Sequence, residues 1–398
     1  MEGNHFVDAN GATVQLRGVN ISGLEFVAIQ GWSPSNPWGG QTGDPTPNFS
    51  AIKTWDVNAV RLPLNEASWL GLSCADLGGV SVTVNSSGAT VHDQPGQIID
   101  ADPGHNYQAT VEQTVQQANA AGMYVILDLH LAAPDKDGTP ACPEYQNAMA
   151  DEDHSIAFWT SLANTFKNNP AVIFELYNEA FISQSAVSAA DTEPAEYVEL
   201  NGWDQPDSNG DQLEFDDDAG LVNMTWSTAG FQEMLNAVRT TGATNVVLVG
   251  ADHYTTDMTL WLKYLATDPI HQLGAAWHPY PAGYAGYPNL VNCAGEPQCA
   301  PQEMQAAQNI LAAGYPIVAT EFGDTITSSP SSTAPWASVL LPFADQNGFS
   351  YIAWTWDNWG NAPSNLLIRD KQGDPTYGYG TYIKQHYLCV ASGQSNCP

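Results

Sequence analysis

The chain has 398 residues, 43% of them hydrophobic, and sets 10 Lys and Arg against 43 Asp and Glu for a formal charge of −33 at pH 7. That apolar content supplies a large core and excludes a globally disordered chain, and the scarcity of cations excludes a protein that neutralises phosphates, hence a nucleic-acid partner. Acids are present at an ordinary share, so the charge comes from missing Lys and Arg; such a surface repels itself little when acid protonates it, which points to an acid-tolerant extracellular protein.

In chain order, eight short apolar runs predict strands: Thr13 to Asn20, Ala59 to Leu64, Met123 to His130, Val172 to Glu179, Asn245 to Asp252, Gly274 to Tyr280, Pro316 to Glu321 and Ser350 to Trp356. Between them, helical spacing covers Tyr107 to Ala121, Ser155 to Asn168, Thr228 to Thr241 and Pro301 to Ala313. Continuous apolar strands alternating with helices imply buried parallel strands. With no Gly-rich phosphate turn after an early strand, a single α/β domain over 1–398, a (β/α)₈ TIM barrel with its site at the C-terminal strand ends, is preferred to an open doubly wound sheet.

Two long insertions interrupt the rhythm. Residues 71–100 contain VSVTVNSSGATVH, two alternating runs about a Ser-Ser-Gly turn, which predicts a surface β-hairpin. Residues 181–225 hold eleven Asp or Glu and no Lys or Arg, and leave the fourth strand as a candidate wall of the barrel mouth, with a solvated loop as the alternative.

The six cysteines lack zinc spacing, so disulfides are expected: Cys293 with Cys299, Cys389 with Cys397 and Cys74 with Cys142, although connectivity stays open and free buried thiols are the alternative. No run approaches the length of a membrane span. The opening Met1-Glu2-Gly3 has neither a basic n-region nor an apolar h-region, so a secretion signal would have been removed. There is no HExxH, P-loop or EF-hand spacing, and the run Asp216-Asp217-Asp218 is read as solvated, so neither metal nor cofactor is expected.

Chemistry concentrates at the strand ends. Tyr177-Asn178-Glu179 and Thr320-Glu321-Phe322-Gly323 each place a carboxylate where an apolar strand finishes, and a bare charge there must be paired or functional. A barrel brings such ends together, and paired carboxylates are what glycoside hydrolysis requires.

These residues resemble glycoside hydrolase family 5, the retaining cellulase and mannanase family, over nearly the whole chain. Leu16-Arg17-Gly18-Val19-Asn20 is similar to its first strand, Arg61 in Val60-Arg61-Leu62-Pro63 to its second-strand arginine, and His130 in Asp128-Leu129-His130 to its third-strand histidine. Asn178-Glu179 resembles the fourth-strand pair, His278-Pro279-Tyr280 the sixth-strand His and Tyr, Glu321-Phe322-Gly323 the nucleophile motif, and Trp354-Thr355-Trp356 the eighth-strand tryptophan, with Trp354 favoured over Trp356.

The resemblance implies that Glu179 is the acid/base and Glu321 the nucleophile. Arg61 and Tyr280 would hold Glu321, Asn178 would bind the sugar 2-hydroxyl, and His130 and His278 would bind hydroxyls or tune neighbours. Trp32, Trp38, Trp69, Trp203 and Trp359, in Gly-, Pro-, Ser- or Asn-rich stretches, are candidate subsite platforms. The expected protein is a secreted, monomeric endo-β-1,4-glucanase acting on a β-linked polysaccharide. A β-mannanase or xyloglucanase is the alternative within the family, and a carbohydrate-binding pseudoenzyme the one outside catalysis.

Overall fold

A computed structural model describes residues 1–26, 29, 36–38, 47–76, 82–84, 89–91, 97–136, 138–142, 146–182, 195–202, 214–216, 223–281, 301–324, 329, 333–358, 366–394 and 397–398. Eight parallel strands close into a barrel: β1 (Arg17–Asn20), β2 (Ala59–Asn65), β3 (Tyr124–Leu131), β4 (Val172–Glu175), β5 (Val247–Val249), β6 (Leu273–Trp277), β7 (Ile317–Ala319) and β8 (Ser350–Ala353). The ring closes through β8 and β1, where Ile352 pairs with Gly18, which in turn pairs with Ala59 of β2. Gly18 is required there: a Cβ would lie 2.5 Å from Ile352 Cδ1 and 2.6 Å from the Ala59 carbonyl oxygen.

Helices α1 (Tyr107–Ala120), α2 (Ser155–Phe166), α3 (Phe231–Thr240), α4 (Pro301–Ala312), α5 (Ala337–Asn347) and α6 (Tyr379–Ala391) supply the outer layer. The main apolar cluster lies between strands and helices. A second, separate cluster gathers one residue from each strand or its entry, Leu16, Ala59, Ile126, Ile173, Leu248, Ala276, Val318 and Ile352, and plugs the barrel interior. Side chains alternate along a strand, so the residues two further on also face inward. Those residues include Arg61, Asp128, Glu175, His278 and Thr320, all buried. An apolar plug with a polar layer above it sets the site's depth.

Six of the predicted strands are shorter than their apolar runs, the first, fourth and eighth among them. The first breaks before Arg17, and Thr13–Val14 instead pairs antiparallel with Phe6–Val7. The fourth ends at Glu175, so Asn178 and Glu179 stand on the chain beyond it, and the eighth ends at Ala353. The predicted hairpin is present, with Val82–Val84 antiparallel to Ala89–Val91. Disulfides Cys74–Cys142 and Cys389–Cys397 are formed, and Cys74–Cys142 joins neighbouring parallel strands of a small four-stranded sheet. Cys293 and Cys299 lie outside the described residues. In the acidic insertion the helix Ala195–Asn201 packs against α3, while 203–213 and 217–222 lie outside the described residues. No helix among the described residues is long and apolar enough to cross a membrane.

Candidate active site

Arg61 is the hub of the polar layer. It is fully buried on β2 and uses the whole guanidinium fork. Nε donates to Glu175 Oε2 at 2.7 Å, Nη1 to Glu321 Oε1 at 2.5 Å and to Asn20 Oδ1 at 3.1 Å, and Nη2 to Asn178 Oδ1 at 2.8 Å, with Asp128 Oδ2 at 3.0 Å from the same nitrogen. One rigid planar cation thereby orients side chains from β1, β3, the chain after β4 and the chain after β7. Burial works against the carboxylate of Glu175, but the charge of Arg61, with support from His278, keeps its pKa below the ordinary glutamate value. At Asp128 burial prevails, and its pKa is raised despite Arg61 and His130.

Above this layer the two candidate catalytic acids meet. A carboxylate oxygen of Glu179, one of Glu321 and a ring nitrogen of His278 lie within 4.8 Å of one another. Glu321, 5% exposed, accepts from Arg61 and, on Oε2, from the Tyr280 hydroxyl at 3.0 Å. Glu179, 7% exposed, has Oε1 at 2.7 Å from His278 Nδ1. His278 is fully buried, with Nε2 at 3.0 Å from the Thr320 hydroxyl, which donates to Glu175 Oε1 at 2.8 Å. Burial alone would lower the His278 pKa, but the charge of Glu321, the nearby Glu175 carboxylate and the hydrogen bond with Glu179 raise it to about 9.

The structure brings Arg61, Asn178, Glu179, His278, Tyr280 and Glu321 into one cluster. His130 lies at its edge, bonded through Nδ1 to Asp128 Oδ2 at 2.8 Å, and its pKa is raised because that carboxylate outweighs the burial penalty. Trp354 is half-buried and stacks on the His130 ring at 6.0 Å with 10° between planes.

Trp356 is buried in the core, edge-on to Trp55 at 4.8 Å, and the strand ends before both tryptophans. Trp69 corrects the platform reading. It lies on the short helix Glu66–Leu70, is 1% exposed, packs edge-on to Phe158 at 6.2 Å and donates its indole N–H to Ser161. Trp38 is half-buried, packs against the core on one side and donates its N–H to Thr114 of α1. Trp32, Trp203 and Trp359 lie outside the described residues.

Sequence reasoning assigned no role to Asn20, Asp128, Glu175 or Thr320. A second group, Glu66, Asp151 and His154, also has spacing that could accept a cation. Its carboxylate oxygens are already taken up, by the Ala133 N–H on Glu66 and Asp151, by the Ser155 hydroxyl on Glu66 and by the His154 N–H on Asp151.

A closed (β/α)₈ barrel with two opposed carboxylates at its C-terminal mouth has the form of a glycoside hydrolase. The sequence model of the family Cellulase (glycosyl hydrolase family 5) matches residues 7–360, and the chain belongs to that family. No curated protein matches the chain. Among solved structures it is similar to the catalytic domain of the major endoglucanase from Xanthomonas campestris pv. campestris (17% identity, TM-score 0.60, 99% of each chain covered). It is also similar to a β-glucanase from Saccharophagus degradans in complex with cellotetraose (20%, TM-score 0.58, 98% of this chain and 92% of that one) and to an endo-β-1,4-glucanase from Xanthomonas axonopodis pv. citri (19%, TM-score 0.56, 94% and 99%). At these identities the likeness is one of fold.

Proposed function

We propose that the chain is a retaining endo-β-1,4-glucanase that works by double displacement, with Glu321 as nucleophile and Glu179 as acid/base. The observation that carries this reading is the approach of the two carboxylates to within 4.8 Å, a spacing of the direct-attack class and too short for the ~6.5 to 9.5 Å that accommodates an intervening water. Their surroundings divide the labour. Arg61 and Tyr280 direct positive charge and an O–H donor at Glu321, as an ionised nucleophile needs. Glu179 instead faces the His278 imidazole, 2.7 Å from its Nδ1.

In the first step a Glu321 oxygen bonds to the anomeric carbon as the glycosidic bond breaks and Glu179 protonates the departing oxygen. In the second, Glu179 takes a proton from water, whose oxygen displaces Glu321. Asn178, held by Arg61 through Oδ1, keeps its amide N–H groups for the sugar 2-hydroxyl, and Trp354 offers a flat face to a pyranose ring. The choice of glucan is supported by the family's description and by the glucanase titles of the fold relatives. Two disulfides support export to an oxidising compartment. Reducing-sugar release from carboxymethyl cellulose, mannan and xyloglucan tests the substrate: the first should be cleaved fastest, and preference for either of the others would replace the glucan.

A further inference from the structure

We infer that Thr255 and Gln146 are positioning residues for the acid/base: each holds one of the two peptide planes that flank the Cα of Glu179, and together they fix where its carboxyl can reach. The inference rests on the reading of Glu179 as acid/base.

Glu179 needs such a hold because it stands outside the sheet. β4 ends at Glu175, so no ladder of paired strands orients the main chain at 178–180. The carbonyls there are taken up one by one instead. That of Asn178, whose peptide plane leads into Glu179, accepts from the Thr255 hydroxyl at 2.9 Å. That of Glu179 itself, whose plane leads out, accepts from the Gln146 side-chain amide at 2.6 Å. The next, Ala180, accepts from the Tyr254 N–H at 2.7 Å. With both flanking planes fixed, the Cα–Cβ bond of Glu179 has one direction, and it carries the carboxyl to its place 2.7 Å from His278 Nδ1.

The donors on the β5 side are themselves tightly held. His253, Tyr254 and Thr255 follow one another at φ 53°, 60° and 59°, a left-handed conformation that is unfavourable for any residue but glycine and most of all for a β-branched one. Such a run persists only where its surroundings over-determine it. Thr255 is fully buried; besides giving its hydroxyl to Asn178 it takes the His278 N–H on its carbonyl at 2.9 Å and donates its own N–H to Ala251 at 3.1 Å. Gly250 leaves room for it, since a Cβ there would lie 2.7 Å from Thr255 Oγ1. One residue thereby ties the chain that carries Glu179 to the chain that carries its imidazole partner. Asn178 has holds of its own, its N–H on the Leu129 carbonyl at 3.0 Å and its side chain on Arg61. What the Thr255 and Gln146 bonds add therefore falls on Glu179.

Thr255→Val keeps the shape and removes the hydroxyl. Gln146→Met removes the amide from a half-buried side chain, so it carries the test should the buried variant not fold. On a β-1,4-linked cello-oligosaccharide each should lower kcat/KM about tenfold, because a misplaced acid fails the departing oxygen. On dinitrophenyl cellobioside, whose leaving group hardly needs a proton, the loss should stay under about threefold. Thr255→Ser should restore the wild-type value on the oligosaccharide. A merely structural role would reduce the active fraction and lower both substrates alike. Equal losses on the two substrates, unchanged kinetics in either variant, or a Thr255→Ser as impaired as Thr255→Val would overturn the inference. Azide added to Glu179→Ala tests the underlying reading separately: rescued turnover of the aryl cellobioside together with equal losses in the two variants rejects only the positioning role, whereas absence of rescue rejects the acid/base assignment.

Discussion

Glu179 and Glu321 lie within one constellation but have different partners, and their substitutions should separate accordingly. Glu321→Ala removes the attacking atom and should abolish turnover on every substrate. Glu179→Ala should retain activity on aryl glycosides, whose leaving groups hardly need a proton, while losing it on oligosaccharides. Steady-state kinetics on both substrate types check this, and equal losses would count against the two roles. Arg61→Met leaves Glu175, Asp128 and Glu321 facing each other without their shared cation, and removing one partner of a buried ion pair costs about 3 to 5 kcal/mol. Urea unfolding should show a loss of that order together with inactivity. The two glutamates were legible because each follows an apolar run in a short strand-end motif, and Arg61 and the other supporters because their short motifs resemble the family's. Glu175 was not, because it lies inside an apolar run that reads as plain strand, and Thr320 was not, because a lone hydroxyl beside Glu321 carries no signal of its own. Their signal is the two-residue step from the inward-facing Ile173 and Val318, visible only once the inward face of each strand is known.

At the scale of elements, the segment after β8 separates two neighbouring tryptophans by environment. Trp354 is half-buried over His130, whereas Trp356 is wedged against Trp55. Trp354→Ala should lower kcat/KM on a long oligosaccharide by about 1 kcal/mol in transition-state stabilisation with little change in melting temperature. Trp356→Ala should instead destabilise the fold by about 3 to 5 kcal/mol, as large-to-small core changes do. Calorimetry and kinetics on the same pair of variants check both. All eight strands and the four predicted helices were legible from apolar runs and helical spacing. What was not legible is where pairing stops. Apolar character continues past Glu175 into Leu176 and Tyr177, which are buried outside the sheet. Trp69 was misread because Gly71, the left-handed cap that ends its helix at φ 64°, looks in sequence like part of a loop.

Over the whole molecule, the acid tolerance expected from composition has a counterpart in buried carboxyls. Glu66 is pushed well above the usual glutamate value by burial and by its neighbour Asp151, and Glu199 likewise by burial and Asp252. Burial also raises Glu25. A carboxyl that holds its proton more tightly folded than unfolded contributes stability that is complete below its unfolded pKa and is lost as pH rises through the folded one. His278, raised to about 9, works in the same sense: its contribution is complete below the ordinary histidine value of 6.5 and fades as pH passes 9. On the acid side, Asp268, whose pairing with Arg239 prevails over burial, and Asp345, held down by His386 against its own burial, lose their contributions as pH falls below the usual aspartate range. Thermal stability should therefore peak in mildly acidic solution and decline from about pH 6 to 9. Glu66→Gln, which keeps a donor toward Asp151 and cannot ionise, should make that decline shallower in a calorimetric pH series; a wild-type curve flat over the range would contradict the linkage.

The central claim, direct attack by one of two closely opposed carboxylates, is tested most directly by following the hydrolysis of a β-1,4-linked cello-oligosaccharide with proton NMR and observing the reducing end before it mutarotates. The β-anomer should form first, with the α-anomer appearing only later, at the rate of spontaneous mutarotation. Initial release of the α-anomer would mean attack by water across the two acids and would contradict it.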